Sequence, residues 1–293
     1  MRFPGILPAV ITPFTPDDQV DVAALRANVE AVLAGGASGL VATGTMGEAG
    51  ALSDAERAVV VGAVVQVAGG RVPVVAGVSS GSTAAAARYA AAARDAGAAA
   101  VMCLPPLNYP GDHRELAVHY RAVAQAGLPI MAYNNPAASG VDLTPAAIAR
   151  LAADVPEVVA VKECSGDARR TAALVGDTDL EILIGGDDWA LEGYAAGATG
   201  WVSGVANVAP RECVELQELV EAGRLEEARA VYQRLLPLGR LDMTVKLVQY
   251  FKGAMDAVGL RGGATRPPRL ALTDAEREVL DAAVAALRAT VPA

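Results

Sequence analysis

The sequence predicts an α/β protein: a (β/α)8 barrel followed by a C-terminal extension of three helices. Three observations lead there. Short apolar runs rich in β-branched residues alternate with longer Ala-rich stretches. There are eight such pairs, and together they fill about 225 residues, the span of a single barrel. Most of the runs are apolar throughout instead of alternating with polar residues, as strands covered on both faces require.

The first strand reads Ile6–Phe14 and the second Gly39–Thr45. Val72–Gly77, Ala99–Leu104, Pro129–Tyr133, Val158–Glu163, Leu180–Ile184 and Gly200–Ser203 complete the set. Helices of crossover length lie between them. Ser53 and Glu56 have capping-box spacing, and Ser79-Ser80-Gly81-Ser82-Thr83 supplies N-cap hydroxyls. Thr144-Pro145 and Pro210 put proline at a first helical position. Gly35-Gly36, Gly69-Gly70, Gly97 and Gly127 end helices just before the next strand. A doubly wound sheet is the competing topology. It is disfavoured because Thr12-Pro13-Phe14-Thr15-Pro16 stands where a glycine-rich dinucleotide loop would follow the first strand. Beyond about Glu221 the β signals stop. Leu225–Leu236, Asp242–Val258 and Thr273–Ala289 read as helices, with Thr273 and Glu276 a second capping box. Residues 1–224 are therefore assigned to a catalytic barrel and 225–293 to a helical domain.

Composition excludes several function classes. The chain has 293 residues, 53% of them apolar, enough to bury a large core. Its formal charge of -9 repels phosphate backbones, which argues against nucleic acid as a partner. No apolar run reaches membrane-spanning length, and the start lacks the apolar core of a signal peptide. Cys103, Cys164 and Cys213 are odd in number and scattered, which fits a reducing cytoplasm. The only histidines, His113 and His119, are poorly spaced for one helical face and read as surface or packing residues. No metal site is expected.

In a barrel, chemistry gathers where strands end, and few strand ends carry reactive groups. Lys162 sits near the end of the buried run Val158–Glu163. Burial there is expected to lower its pKa and free the amine for Schiff-base chemistry. The competing reading is a buried Lys–Glu pair with Glu163. Lys246 and Lys252, in a late helix, read as solvated or salt-bridged. Tyr133 ends the preceding strand before the polar turn Asn134-Asn135-Pro136. Its phenol can shuttle protons beside Lys162, or merely pack. Gly44-Thr45-Met46-Gly47-Glu48 closes the second strand and offers backbone amides and a hydroxyl to a carboxylate, unless it is an ordinary turn. In Gly185-Gly186-Asp187-Asp188 the aspartates read equally as helix caps. Cys164 has no histidine nearby in sequence to make it a nucleophile.

Taken in order, Thr12-Pro13-Phe14, Gly44-Thr45-Met46-Gly47-Glu48, Tyr133-Asn134-Asn135-Pro136, Val161-Lys162-Glu163 and Gly186-Asp187-Asp188 resemble the dihydrodipicolinate synthase / N-acetylneuraminate lyase superfamily of class I aldolases, over nearly the whole chain. The resemblance implies a TIM barrel with a C-terminal helical domain, usually a homotetramer. It implies a Schiff base between Lys162 and the C2 carbonyl of a 2-oxo acid, with no other cofactor. It implies Tyr133 as the proton-transferring phenol, the Thr45 hydroxyl and Met46 amide on the substrate carboxylate, Gly186 as a substrate-binding position, and Val202 lining the pocket.

The chain departs from the lysine-pathway synthases at three places. Met46 replaces a second threonine, Pro106-Leu107 a tyrosine pair, and Ala137-Ala138-Ser139-Gly140 a stretch carrying the arginine for the second carboxylate. Leu104-Pro105-Pro106, Tyr133-Asn134-Asn135-Pro136 and Lys246-Leu247-Val248-Gln249-Tyr250 look like the 1-pyrroline-4-hydroxy-2-carboxylate deaminases of hydroxyproline breakdown. The expectation is thus a Schiff-base lyase acting on a small 2-oxo acid or cyclic imino acid by dehydration, deamination or retro-aldol cleavage. The alternatives are 4-hydroxy-tetrahydrodipicolinate synthase, condensing pyruvate with aspartate semialdehyde, and a non-catalytic keto-acid-binding barrel.

Overall fold

The computed structural model describes residues 2–288. Eight parallel strands run through them: β1 (Gly5–Pro8), β2 (Leu40–Ala42), β3 (Val74–Gly77), β4 (Ala100–Cys103), β5 (Ile130–Asn134), β6 (Val158–Glu163), β7 (Glu181–Ile184) and β8 (Gly200–Ser203). They pair in the order β1-β8-β7-β6-β5-β4-β3-β2. The ring closes where the Val10 N–H donates to the Val41 carbonyl at 2.8 Å, beside a parallel bridge between Ala9 and Val41.

The first two strands are shorter than the apolar runs suggest. After Pro8 the chain turns away so that the Thr12 hydroxyl can donate to the Gly47 carbonyl at 2.8 Å. At Thr43 the backbone enters the left-handed region, φ 53°, and its hydroxyl donates to the Gly77 carbonyl at 3.0 Å. Apolar character therefore outlasts ladder pairing at both strand ends.

The helices follow in sequence: α1 (Val22–Ala34), α2 (Asp54–Ala68), α3 (Thr83–Asp95), α4 (His113–Ala124), a single turn α5 (Pro136–Ser139), α6 (Pro145–Asp154), α7 (Ala168–Asp177), α8 (Ala190–Ala195) and α9 (Pro210–Glu221). The Ser53–Glu56 capping box is formed, Ser82 caps α3, and Pro145 and Pro210 begin their helices. Gly69 closes α2 at φ 55°, a conformation that costs a side-chain-bearing residue about 1 kcal/mol or more.

The extension divides differently from its prediction. α10 (Leu225–Asp242) continues through Pro237, the chain breaks over residues 243–246, and α11 (Leu247–Ala257) starts afresh. An internal proline costs about 3 kcal/mol. Burying Leu235, Leu238 and Leu241 against the barrel offsets it at about 2 kcal/mol each. The break is capped by the Thr244 hydroxyl, which donates to the Leu241 carbonyl at 2.8 Å. Asp242 therefore ends a helix instead of beginning one. α12 (Asp274–Arg288) carries the Thr273–Glu276 box, with Thr273 N–H on Glu276 Oε2 at 2.9 Å; its predicted last residue, Ala289, lies outside the described residues. The extension and the barrel interior share one apolar cluster, from Leu183 and Trp201 through Leu235 and Leu238 to Phe251 and Leu280.

Candidate active site

Strand periodicity places the chemistry. Leu40, Ala42, Val74, Ala76, Val101, Ile130, Ala132, Val158, Val161 and Ile182 pack outward against helices. Their alternates, Val41, Val75, Met102, Met131, Ala160 and Leu183, fill the barrel. Two residues beyond Met131 stands Tyr133, and two beyond Ala160 stands Lys162, so both belong to the inward row. They are register partners on β5 and β6. Above them opens a cavity of about 370 Å³ whose walls include Thr45, Met46, Tyr133, Lys162, Val202 and Asp242.

The Lys162 ammonium sits 4.3 Å from the centroid of the Tyr133 ring. Both side chains are buried. Glu163 faces the other way, its carboxylate accepting from Asn134 Nδ2 at 3.0 Å and Ser165 N–H at 2.6 Å. Among the described residues Lys162 has no ion-pair partner, so the structure does not contain the Lys–Glu pair. The expected direction of the Lys162 shift is overturned. Burial pulls its pKa down, but Tyr133, Cys164 and Asp242 around it pull it up further, and it stands above its ordinary value. The Tyr133 phenol is likewise raised, chiefly by burial and against the pull of Lys162. Its oxygen accepts from Asn135 Nδ2 at 2.8 Å. The resting pair is an ammonium beside a neutral phenol.

Gly185 makes room for this lysine. A Cβ there would lie 2.6 Å from the Glu163 carbonyl oxygen and 3.0 Å from Lys162 Cε. Gly186, by contrast, is not part of the cavity wall and packs against the Trp189 indole. Cys164 is buried, its thiol pushed up to about 12 by that burial and donating to the Gly185 carbonyl at 3.2 Å. It stays a thiol. Asp187 caps no following helix. It reaches across to accept from the Gly204 and Val205 N–H groups at 3.0 and 2.8 Å, bracing the end of β8 next to Val202.

The turn from Gly44 to Glu48 is anchored from below. Glu48 is fully buried at φ 54°. One carboxylate oxygen meets Lys252 Nζ at 2.6 Å and the other accepts from the Arg266 N–H at 3.1 Å. The Arg266 guanidinium in turn grips Asp18 and Glu56. Lys246 pairs with Glu276 at 2.6 Å. Both late lysines are salt-bridged, and Lys252 is buried instead of solvated. The extension thereby fixes the turn that presents Thr45 to the cavity. Of the histidines, His119 is buried beside Thr83 and Cys103, and His113 pairs with Asp154 at 2.6 Å.

Sequence reasoning missed two charged cavity residues. Asp242 stood at the start of a predicted helix, where it read as a first-turn carboxylate. Arg269 lies about 80 residues beyond the last of the strand-end motifs, yet it lines the same cavity, 3.7 Å from Glu48. A cation in an irregular segment after the last strand has no periodicity to reveal it. Among the described residues no cluster of His, Cys, Asp or Glu could hold a metal ion, and no helix is long and apolar enough to cross a membrane.

Residues 2–287 match the Dihydrodipicolinate synthetase family. The chain is 40% identical over 288 residues to a 4-hydroxy-tetrahydrodipicolinate synthase of Hyphomonas neptunium, covering 97% of this chain and 98% of that one. Among solved structures it resembles the 4-hydroxy-tetrahydrodipicolinate synthase of Methylacidiphilum fumariolicum SolV, with a TM-score of 0.93 at 30% identity over 98% and 96% of the two chains. It also resembles YagE, a prophage protein of that family from E. coli K12 in complex with pyruvate, with a TM-score of 0.92 at 26% identity over 98% and 99%.

Proposed function

The chain belongs to the Dihydrodipicolinate synthetase family of Schiff-base lyases, and from that premise we propose that it condenses pyruvate with aspartate semialdehyde, as a 4-hydroxy-tetrahydrodipicolinate synthase. One observation carries the reading: Lys162 and Tyr133 stand side by side at the floor of a single cavity whose wall also holds Arg269.

The chemistry follows from those groups. The free-amine fraction of Lys162 adds to C2 of pyruvate. The neutral Tyr133 phenol gives its proton to the carbinolamine oxygen, which leaves as water. The phenolate that remains, facing the iminium, then removes a C3 proton, and the electron pair moves to form the enamine. The enamine C3 attacks the aldehyde, and the amine of the second substrate then adds to C2, closing the ring and expelling the Lys162 amine. The Thr45 hydroxyl and the Met46 amide, on the cavity wall, are suited to the pyruvate carboxylate.

Dehydration or deamination took precedence in the sequence because no cation stood near Ser139. Arg269 supplies one from the C-terminal extension, and an Arg fork suits a second carboxylate. The names of the relatives point the same way. A second reading keeps its ground on one observation: Ala137 and Ala138 line the cavity, where the resemblance implies a carboxylate-binding arginine. A 4-hydroxylated 2-oxo or cyclic imino acid would share every step through the enamine and then lose its C4 hydroxyl. The same reading takes the chain to be a homotetramer or homodimer, which light scattering would measure.

Complementation of a diaminopimelate auxotroph, with an assay of purified protein on pyruvate plus aspartate semialdehyde, tests the synthase. Growth and turnover are expected. No growth, together with turnover of 1-pyrroline-4-hydroxy-2-carboxylate, would replace it by the second reading.

A further inference from the structure

Resting on the Schiff-base reading above, we infer that Asn135 is a positioning residue for that chemistry: its amide holds the Tyr133 phenol with the hydroxyl proton turned into the cavity, and steadies the phenolate that proton transfer leaves behind. Strand alternation separates the two asparagines that follow the phenol. Asn134 points outward, where its Nδ2 donates to Glu163 at 3.0 Å and its Oδ1 accepts from the Leu143 N–H at 2.9 Å. Asn135 returns to the inward side, half-buried, and lines the cavity with Tyr133 and Lys162.

Three contacts fix which way its amide lies. Its Oδ1 accepts from the Ala138 N–H at 3.0 Å, capping the turn α5. A backbone N–H only donates, so the other end of the side chain is the NH2 group. That group donates to the Tyr133 oxygen at 2.8 Å and reaches the Cys164 sulfur at 3.5 Å. The backbone is held as firmly. Asn135 precedes a proline, which keeps it out of the helical region, at φ -144° and ψ 90°. Its carbonyl accepts from the Ser139 hydroxyl at 2.9 Å and the Ser139 N–H at 3.0 Å.

A phenol that accepts from this amide cannot donate back to it, because an amide NH2 accepts nothing. The phenol proton is therefore left to face the cavity, where Lys162 stands 4.3 Å from the ring centroid. When the carbinolamine oxygen takes that proton, its bond to C2 breaks, water leaves, and the negative charge stays on the Tyr133 oxygen. The Asn135 hydrogen bond then becomes charge-assisted and about twice as strong. No proton leaves the amide. The phenolate next takes the C3 proton, the C–H pair becomes the enamine double bond, and the hydrogen bond returns to its neutral strength. An interaction that strengthens only as charge develops speeds the step instead of tightening the resting complex. Burial raises the Tyr133 phenol, and Lys162 and this hydrogen bond work against that rise.

The test follows exchange of pyruvate methyl protons in D2O by NMR, which needs no second substrate. Asn135→Ser keeps an oxygen at the cap of α5 and removes the donor. We expect its maximal exchange rate to fall by about tenfold, with half-saturating pyruvate within about threefold of wild type. In a Tyr133→Phe background the same substitution should change the rate by less than about twofold, because the group it acts on is gone. A Ser-variant maximal rate within about threefold of wild type overturns the inference. So does an equal loss in the two backgrounds, the mark of a purely structural role. If the Ser variant does not fold, Asn135→Asp takes its place, a cap of the same size that meets the phenol with an acceptor. The same loss is expected, and exchange within about threefold of wild type overturns the inference. Wild-type protein that neither exchanges pyruvate protons nor is trapped by borohydride would sink the Schiff-base reading, a failure separate from all of these.

Discussion

Replacing Lys252 by methionine leaves the buried Glu48 carboxylate with Arg269 as its one remaining ion-pair partner among the described residues. The pair is 2.6 Å long, with side-chain exposures of 2% and 0%. At an effective dielectric of about 20 its attraction is about 6 kcal/mol, set against the cost of burying both ions. Removing one partner of such a pair costs about 3 to 5 kcal/mol, because the remaining charge stays buried. Arg269, 3.7 Å away but 30% exposed, compensates in part, so about 3 kcal/mol is expected. The assay is urea unfolding followed by the fluorescence of Trp189 and Trp201 at fixed protein concentration. The double variant Lys252→Met with Glu48→Gln should recover at least half of the loss, since the only charge then left without its partner is the part-exposed Arg269. Pyruvate trapping should slow in the single variant, because Glu48 anchors the turn that carries Thr45. A loss below about 1 kcal/mol, within the range of exposed pairs, would refute the reasoning, as would a double variant no better than the single one.

Three further outcomes follow from the same groups. Burial holds the His119 imidazole down at about 4 against 6.5 when free. Its contribution is present above pH 6.5 and lost as pH falls toward 4, about 3 kcal/mol in all; His119→Asn should flatten that part of the stability–pH curve, and an unchanged slope would contradict the assignment. The raised pKa of Lys162 means that pyruvate trapping should quicken by about tenfold per unit between pH 7 and 8, whereas a plateau there would mean that burial alone sets the amine. Tyr133→Phe should lower turnover by about 10² or more while changing the KM for pyruvate little, and unchanged kcat would remove the phenol from the mechanism.

The barrel was legible because its signals are local and redundant. Buried strands announce themselves as apolar runs, and capping boxes at Ser53 and Thr273 are written in adjacent residues. Lys162 and Tyr133 were visible because each is a polar residue closing an apolar strand, and neighbouring strands must bring such ends together. The Lys162 shift was misread because burial is apparent in the sequence, whereas Tyr133, Cys164 and Asp242 act through space. The helix predicted to stop at Leu236 runs on through Pro237, because tertiary burial of Leu238 and Leu241 carries α10 to Asp242. Arg269 and Lys252 reach the site through long-range packing of the extension, which no spacing encodes.

The account stands most directly on a trapping experiment. Wild-type protein incubated with pyruvate and reduced with borohydride should gain the mass of one reduced pyruvate per chain, mapped by peptide analysis to Lys162, while folded Lys162→Ala gains none. An unmodified chain, or an adduct on Lys246 or Lys252 that survives in Lys162→Ala, would contradict it.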